Sequence, residues 1–99
     1  MYRMTIHYET PADPEAFDQH YFDVHVPLCR PLPGLVGSSF SKPRALGPGE
    51  APYLVAQLDF ADAATFQAAM SSPEMAVVAA DAENLAAKRS MFTGDVTVG

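Results

Sequence analysis

The order in which two periodicities follow one another along this chain constrains its fold more than any other feature. Residues 2–10 alternate, with Tyr2, Met4, Ile6 and Tyr8 on one side and Arg3, Thr5, His7 and Glu9 on the other. Period two in β-branched and aromatic residues describes a strand with unlike faces, and Pro11 ends it. Residues 14–28 carry Phe17, Tyr21, Val24 and Leu28 at spacings of four, three and four, which is one stripe of a helix. Asp13-Pro14-Glu15 starts that helix: the aspartate accepts from free backbone N–H groups, the proline loses nothing at the first position, and the glutamate suits the positive end. Pro27 clashes with the carbonyl of Asp23, so a bend or change of pitch is expected around residues 23–27. Pro31, Pro33 and Gly34 then stop the helix.

Two strands follow, over 35–45 and 52–60, joined by the Gly- and Pro-rich run 44–52 as a hairpin with a long, mobile tip. Asp62 caps a further helix bearing Phe66 and Met70. Ser72-Pro73-Glu74 repeats the start signal for a helical piece with Met75, Val78, Ala79 and Ala82 on one side. Lys88 and Arg89 fall near its end, where positive charge is favoured. Residues 90–98 make a last short strand.

The order β-α-β-β-α-β is that of a ferredoxin-like α+β fold, with a four-stranded antiparallel sheet and helices on one face. No repeat, low-complexity tract or linker divides the 99 residues, so a single domain, 1–99, is expected. Two helical regions cover only one face of four strands. The other, bearing His7, must meet water, a ligand or a second subunit, and sheet-to-sheet pairing would hide it and leave a cavity between the sheets.

Composition narrows the function classes. Twelve acidic residues against six basic ones leave a formal charge of -6, and the basic residues are scattered, which disfavours nucleic acid and anionic membranes as partners. No apolar run approaches the length of a membrane span. The alternating N-terminus does not read as a signal peptide. The one cysteine, Cys29, forms no internal disulfide, so a cytoplasmic location is the simplest expectation.

The densest chemical cluster is His20, Tyr21, Asp23 and His25. Tyr21 and His25 lie one helical turn apart. A histidine titrates near neutrality and can move a proton on a small bound molecule. Beside a buried stripe it can equally be structural, and both readings stand for His25 and His20. His7 points away from Met4, Ile6 and Tyr8, into the open face or a cavity there. Tyr53 and Gln57 share that side of their strand and join it as cavity-lining groups or as inter-subunit hydrogen-bonding groups; Asp59 reads as a rim or turn residue. His25 and Cys29 at i,i+4 could offer two metal ligands, but a stable zinc site wants three or four. A Cys29 nucleophile paired with His25 is allowed by spacing alone. No dinucleotide, phosphate-loop or nucleophile-elbow motif is present.

The stretch from Pro14 to Leu28, with H-Y-x-x-x-H-x-P-L, then Leu32-Pro-Gly-Leu35, Ala56-Gln-Leu-Asp-Phe60, the Phe66–Glu74 segment with its S-P-E, and Asp81-Ala-Glu-Asn84 together resemble the EthD family, named after a protein required for ethyl tert-butyl ether degradation. The likeness runs from Met4 to Val96, and its first motif falls on His20, Tyr21, His25, Pro27 and Leu28. Leu85 departs from it, standing where an aromatic often follows the asparagine. The resemblance implies a dimeric α/β-barrel of two ferredoxin-like subunits, whose relatives include cofactor-free monooxygenases, muconolactone-type isomerases and polyketide-tailoring enzymes.

The resulting expectation is a small cytoplasmic enzyme or enzyme accessory. It would perform acid/base or cofactor-free oxidative chemistry on a small apolar or aromatic metabolite in the barrel cavity, as an isomerase, dehydratase or cofactor-independent monooxygenase. His25, His7 and Tyr21 are its candidate catalytic residues, and His20, Tyr53 and Gln57 its candidate substrate-binding residues. No cofactor or metal is expected, and the partners expected are a second copy through the open sheet face and the small ligand. One alternative is a non-catalytic small-molecule binder or auxiliary protein of a degradation or biosynthetic pathway. Another is a structural module, which would show an exposed apolar patch and no cavity.

Overall fold

The computed structural model describes residues 1–99. Strand β1 (Tyr2–Tyr8) runs through the middle of a four-stranded sheet, antiparallel to β3 (Leu54–Phe60) on one side and to β4 (Arg89–Asp95) on the other. Strand β2 (Leu35–Ser41) completes the sheet outside β3, giving the order β2-β3-β1-β4. This is the ferredoxin-like topology. β2 and β3 stop short of the expected 35–45 and 52–60, because Pro43 and Pro52 flank the connection and neither has an N–H for the ladder. β4 likewise spans 89–95 instead of 90–98.

The expected α/β-barrel is not formed. β2 and β4 are free edges on opposite sides of the sheet, so the sheet is open. Closure needs more strands, tilted and staggered to meet edge to edge, and these four are spanned on one face by helices instead.

Helix α1 (Pro14–His20) leads into a π-helical turn (Tyr21–His25) and then α2 (Val26–Cys29); α3 (Ala63–Met70) and α4 (Pro73–Ala82) connect β3 to β4. The three start signals act as read from the sequence. Asp13 accepts from the Ala16 N–H at 3.1 Å, Asp62 from Thr65 at 2.7 Å, and the Ser72 hydroxyl from Met75 at 3.1 Å. Lys88 and Arg89 do not sit at a helix end. α4 stops at Ala82, a turn closed by Asn84 N–H to Asp81 O follows, and Arg89 opens β4. At the Leu32-Pro-Gly-Leu turn Gly34 has φ 77°, and a Cβ there would lie 2.2 Å from Thr65 Cγ2, so only glycine fits.

The core follows strand parity. Met4, Ile6, Tyr8, Leu54, Ala56, Leu58 and Phe60 face the helices and are buried. Phe17, Tyr21, Cys29, Phe66, Ala69 and Val78 come down on them from above.

The stripe of the first helix differs from the expected one. Phe17 and Tyr21 are buried, but Val24 is exposed, and His25 and Cys29 take the inner positions. The cause is the π turn. The Val26 N–H reaches back to the Tyr21 carbonyl, a five-residue span that widens the turn by one residue. The stripe therefore runs at spacings of four, four and four. The change of pitch expected from Pro27 occurs, just upstream of it: proline has no N–H for the Asp23 carbonyl, and the wider turn takes up the mismatch.

Candidate functional site

Beneath the helices lies a cavity of about 160 Å³. A dry apolar cavity of roughly 150 Å³ admits a benzene ring, so this volume is that of a single-ring molecule. Its walls are almost wholly apolar: Met4, Ile6 and Leu58 from the sheet, Met70, Met75 and Val78 from α3 and α4, with Phe40 and Met91 from the edge strands. Methionines adapt their shape to a guest at little cost. The polar groups on the wall are the hydroxyls of Tyr8 and Tyr21, the His25 imidazole, the Cys29 thiol and Arg89.

The two tyrosines and Phe17 form an aromatic cluster. Tyr8 meets Phe17 and Tyr21 edge-on at 5.5 and 5.3 Å, and Tyr21 stacks on His25 at 5.3 Å between ring centres. Burial pushes both tyrosine hydroxyls above the usual range, Tyr21 further, with Tyr8 alongside it adding to the rise. They are therefore neutral hydrogen-bonding groups around neutral pH. Burial also raises the Cys29 thiol to about 11, so it is not a thiolate at neutral pH and is no nucleophile for His25 to activate.

His25 is held by a residue that the sequence reading did not single out as functional. Its Nδ1 lies 2.9 Å from Asp81 Oδ2, and His20 Nε2 lies 3.0 Å from Asp81 Oδ1. Burial alone would raise the Asp81 carboxyl, but the hydrogen bonds from His25 and His20 outweigh it and hold the group below the ordinary carboxylate range. An ionised carboxylate only accepts, so both imidazoles donate to it. With Nδ1 donating to Asp81, Nε2 is the ring nitrogen turned away from the carboxylate. Nε2 has no partner within the chain, yet no buried side-chain polar atom is left unpaired, so Nε2 is not sealed off. No group of three His, Cys, Asp or Glu is disposed to hold a metal ion. One signal could have found Asp81. It is three residues after Val78, on the inward stripe of an otherwise Ala/Val/Met helix, where an unpaired carboxylate would be costly.

The other candidates lie elsewhere. His20, half-buried, sits outside this apolar cavity, on the solvent side of Asp81. His7 is on the opposite face of the sheet, edge-on to Phe92 at 5.2 Å, so it and His25 do not share a site. Gln57 is on that same open face, accepting from Ser39 at 3.3 Å. Tyr53 precedes β3, and its ring turns back over Phe17, with its hydroxyl donating to Asp18 at 2.9 Å and Lys42 closing the group. Asp59 is no turn residue: it takes a two-point contact from Arg3, at 2.7 and 3.1 Å, on the open face.

A four-stranded antiparallel sheet with helices on one face and an apolar, histidine-bearing cavity between them defines a ferredoxin-like α+β protein built around a small-molecule-sized pocket. The chain belongs to the EthD family: residues 9–89 match the EthD domain. A protein of the thcB-thcC intergenic region of Rhodococcus erythropolis is 42% identical over 101 residues, covering 99% of this chain and 98% of that one. The crystal structure of an EthD-family protein from Bacillus halodurans is 31% identical and superposes with a TM-score of 0.88 over 98% of this chain and 99% of that one. SnoaB, a cofactor-independent oxygenase from Streptomyces nogalater, shares the fold at a TM-score of 0.70 with 15% identity, over 99% of this chain and 94% of that one. No helix of the chain is long and apolar enough to cross a membrane.

Proposed function

We propose that the chain is a small enzyme that takes a small apolar or aromatic metabolite into the cavity between helices and sheet and moves a proton at His25 Nε2. The observation that carries this reading is an imidazole fixed by an ionised carboxylate and set in an apolar wall. Asp81 fixes the tautomer and stabilises the imidazolium formed when Nε2 takes a proton from a phenol or an activated C–H. Neutral Tyr21 and Tyr8 then donate to, or accept from, the oxygen of the guest. Isomerisation, dehydration and oxygen-assisted hydroxylation of an electron-rich ring all begin with that proton transfer. The cofactor-independent activity of SnoaB, on the same fold, supports the oxidative form.

Turnover is the test. With a panel of phenols and hydroquinones, product formation and oxygen uptake are expected for the wild type, and His25→Gln removes them while leaving ring binding in place. Equal turnover by His25→Gln would remove His25 from the mechanism. The almost wholly apolar lining favours a second reading, a non-catalytic carrier, which predicts ring binding without turnover in either protein.

The same proposal places a second copy of the chain on the open sheet face. That face mixes the exposed Phe92 with His7 and Val55, and the helices do not cover it. Light scattering is expected to give twice the mass of one chain, and Phe92→Asp to return it to one; a wild-type protein of single-chain mass would end the dimer reading.

A further inference from the structure

The cavity contains one cation, and the chain itself gives that cation no counter-charge. Arg89 opens β4 directly opposite Tyr8 of β1, and residues paired across an antiparallel ladder share a face, so Arg89 stands on the helix side of the sheet with the Tyr8 ring. It lines the cavity, where its guanidinium lies close enough to the Tyr8 hydroxyl to draw it down against the effect of burial. The chain's ion pairs join Arg3 to Asp59, Lys42 to Asp18, and the two histidines to Asp81; Arg89 is in none of them, and it makes no hydrogen bond through its side chain. Arg89 is itself exposed, whereas the walls behind it are buried, which puts it at the mouth and not in the depth. The lining contains no carboxylate; Asp81 stands behind His25, occupied by two imidazoles. This is a net-acidic protein at -6 that presents an unpaired guanidinium at the entrance of its apolar cavity.

We infer that the guest is a single-ring organic anion, whose ring fills the methionine-lined interior and whose phenolate or carboxylate oxygen rests against Arg89 at the mouth. The inference rests on the reading of this cavity as the ligand site and adds the chemical class of the ligand. A planar guanidinium recognises either oxygen anion through paired N–H donors, and a carboxylate does so at two points. The neutral Tyr8 hydroxyl beside it supplies a further donor to the same oxygen. The volume sets the other half of the specificity, because about 160 Å³ behind the mouth suits one ring with small substituents.

Calorimetric titration of the wild type, Arg89→Gln and Arg89→Lys with benzoate, 4-nitrophenolate, benzyl alcohol and toluene tests it. The wild type is expected to bind the two anions at least tenfold more tightly than the two neutral rings. Arg89→Gln loses that preference while keeping its affinity for toluene, and Arg89→Lys retains part of it. The ratio of benzoate to 4-nitrophenolate tells the two anion sources apart. If the wild type binds toluene as tightly as benzoate, or if Arg89→Gln keeps the preference, this inference is overturned and the cavity remains the ligand site. If no ring of either kind binds, the cavity reading falls and takes this one with it.

Discussion

Alternate residues of the same strands build two surfaces of different kinds. On β1, Met4, Ile6 and Tyr8 lie under the helices and are closed from solvent, while Arg3, Thr5 and His7, one position away, form the open face. On β3 the pattern repeats with Leu54, Ala56, Leu58 and Phe60 against Val55, Gln57 and Asp59. The covered face holds little polar chemistry, and what it holds converges on one cavity: two neutral hydroxyls, a thiol, the carboxylate-held imidazole of His25 and, at the mouth, Arg89. The open face has more polar groups, and some of them pair with one another, as Arg3 with Asp59 and Ser39 with Gln57. The comparison teaches that reactive potential here follows confinement and not the number of titratable groups. Water levels the differences between groups on an open sheet, and an apolar wall preserves them.

The largest contrast is in stability. Phe60→Ala removes a fully buried ring and is expected to cost about 3–5 kcal/mol in urea denaturation at every protein concentration. The open-face change Phe92→Asp is expected to leave the unfolding of the isolated chain nearly unchanged and to act on assembly alone. Equal losses from the two would erase the distinction between the faces.

Next comes Asp81. Asparagine offers one oxygen to two imidazole N–H donors, so Asp81→Asn is expected to cost about 1–3 kcal/mol and to force one histidine to change tautomer. Nitrogen-15 NMR of the imidazoles reads the change directly; unchanged shifts for both rings would contradict it. The pH dependence has a definite sign. The folded carboxyl of Asp81 is lower than in the unfolded chain, so its contribution is present above the ordinary carboxylate value of about 3.9. That contribution is lost as pH falls through the depressed folded value. The stability gap between wild type and Asp81→Asn should therefore be full at neutral pH and close in acid.

The smallest effect is kinetic. With its thiol at about 11 and its side chain buried, Cys29 is expected to react with Ellman's reagent at mildly alkaline pH only after denaturant is added. Prompt reaction in the native protein would show that the covered face opens readily.

The sequence made much of this architecture legible. Strand parity, three helix starts and the element order are local properties, written in adjacent residues such as Asp13-Pro14 and Ser72-Pro73, and the structure keeps all of them. What escaped is non-local. Asp81 meets His20 and His25 across 61 and 56 residues of chain, and no spacing rule spans that distance. Strand parity fails for Tyr53 because it stands just outside β3, where parity no longer governs the direction of a side chain. The inward turn of His25 was hidden for a different reason. Regular helical spacing continued from Phe17 places Val24 inside, and only the extra residue in the π turn, for which Pro27 is the written sign, brings His25 in its place.

That extra residue has an evolutionary reading. A π turn is what an α-helix becomes when one residue is inserted and both halves keep their grip on the core. The helix before Tyr21 and the helix after His25 are then two registers spliced together, with the histidine at the join. Relatives descended from an uninserted ancestor should be one residue shorter between the equivalents of Tyr21 and Cys29 and show a single gap there on alignment. On that reading the imidazole came to face the cavity by the lengthening of a helix, not by the exchange of a side chain.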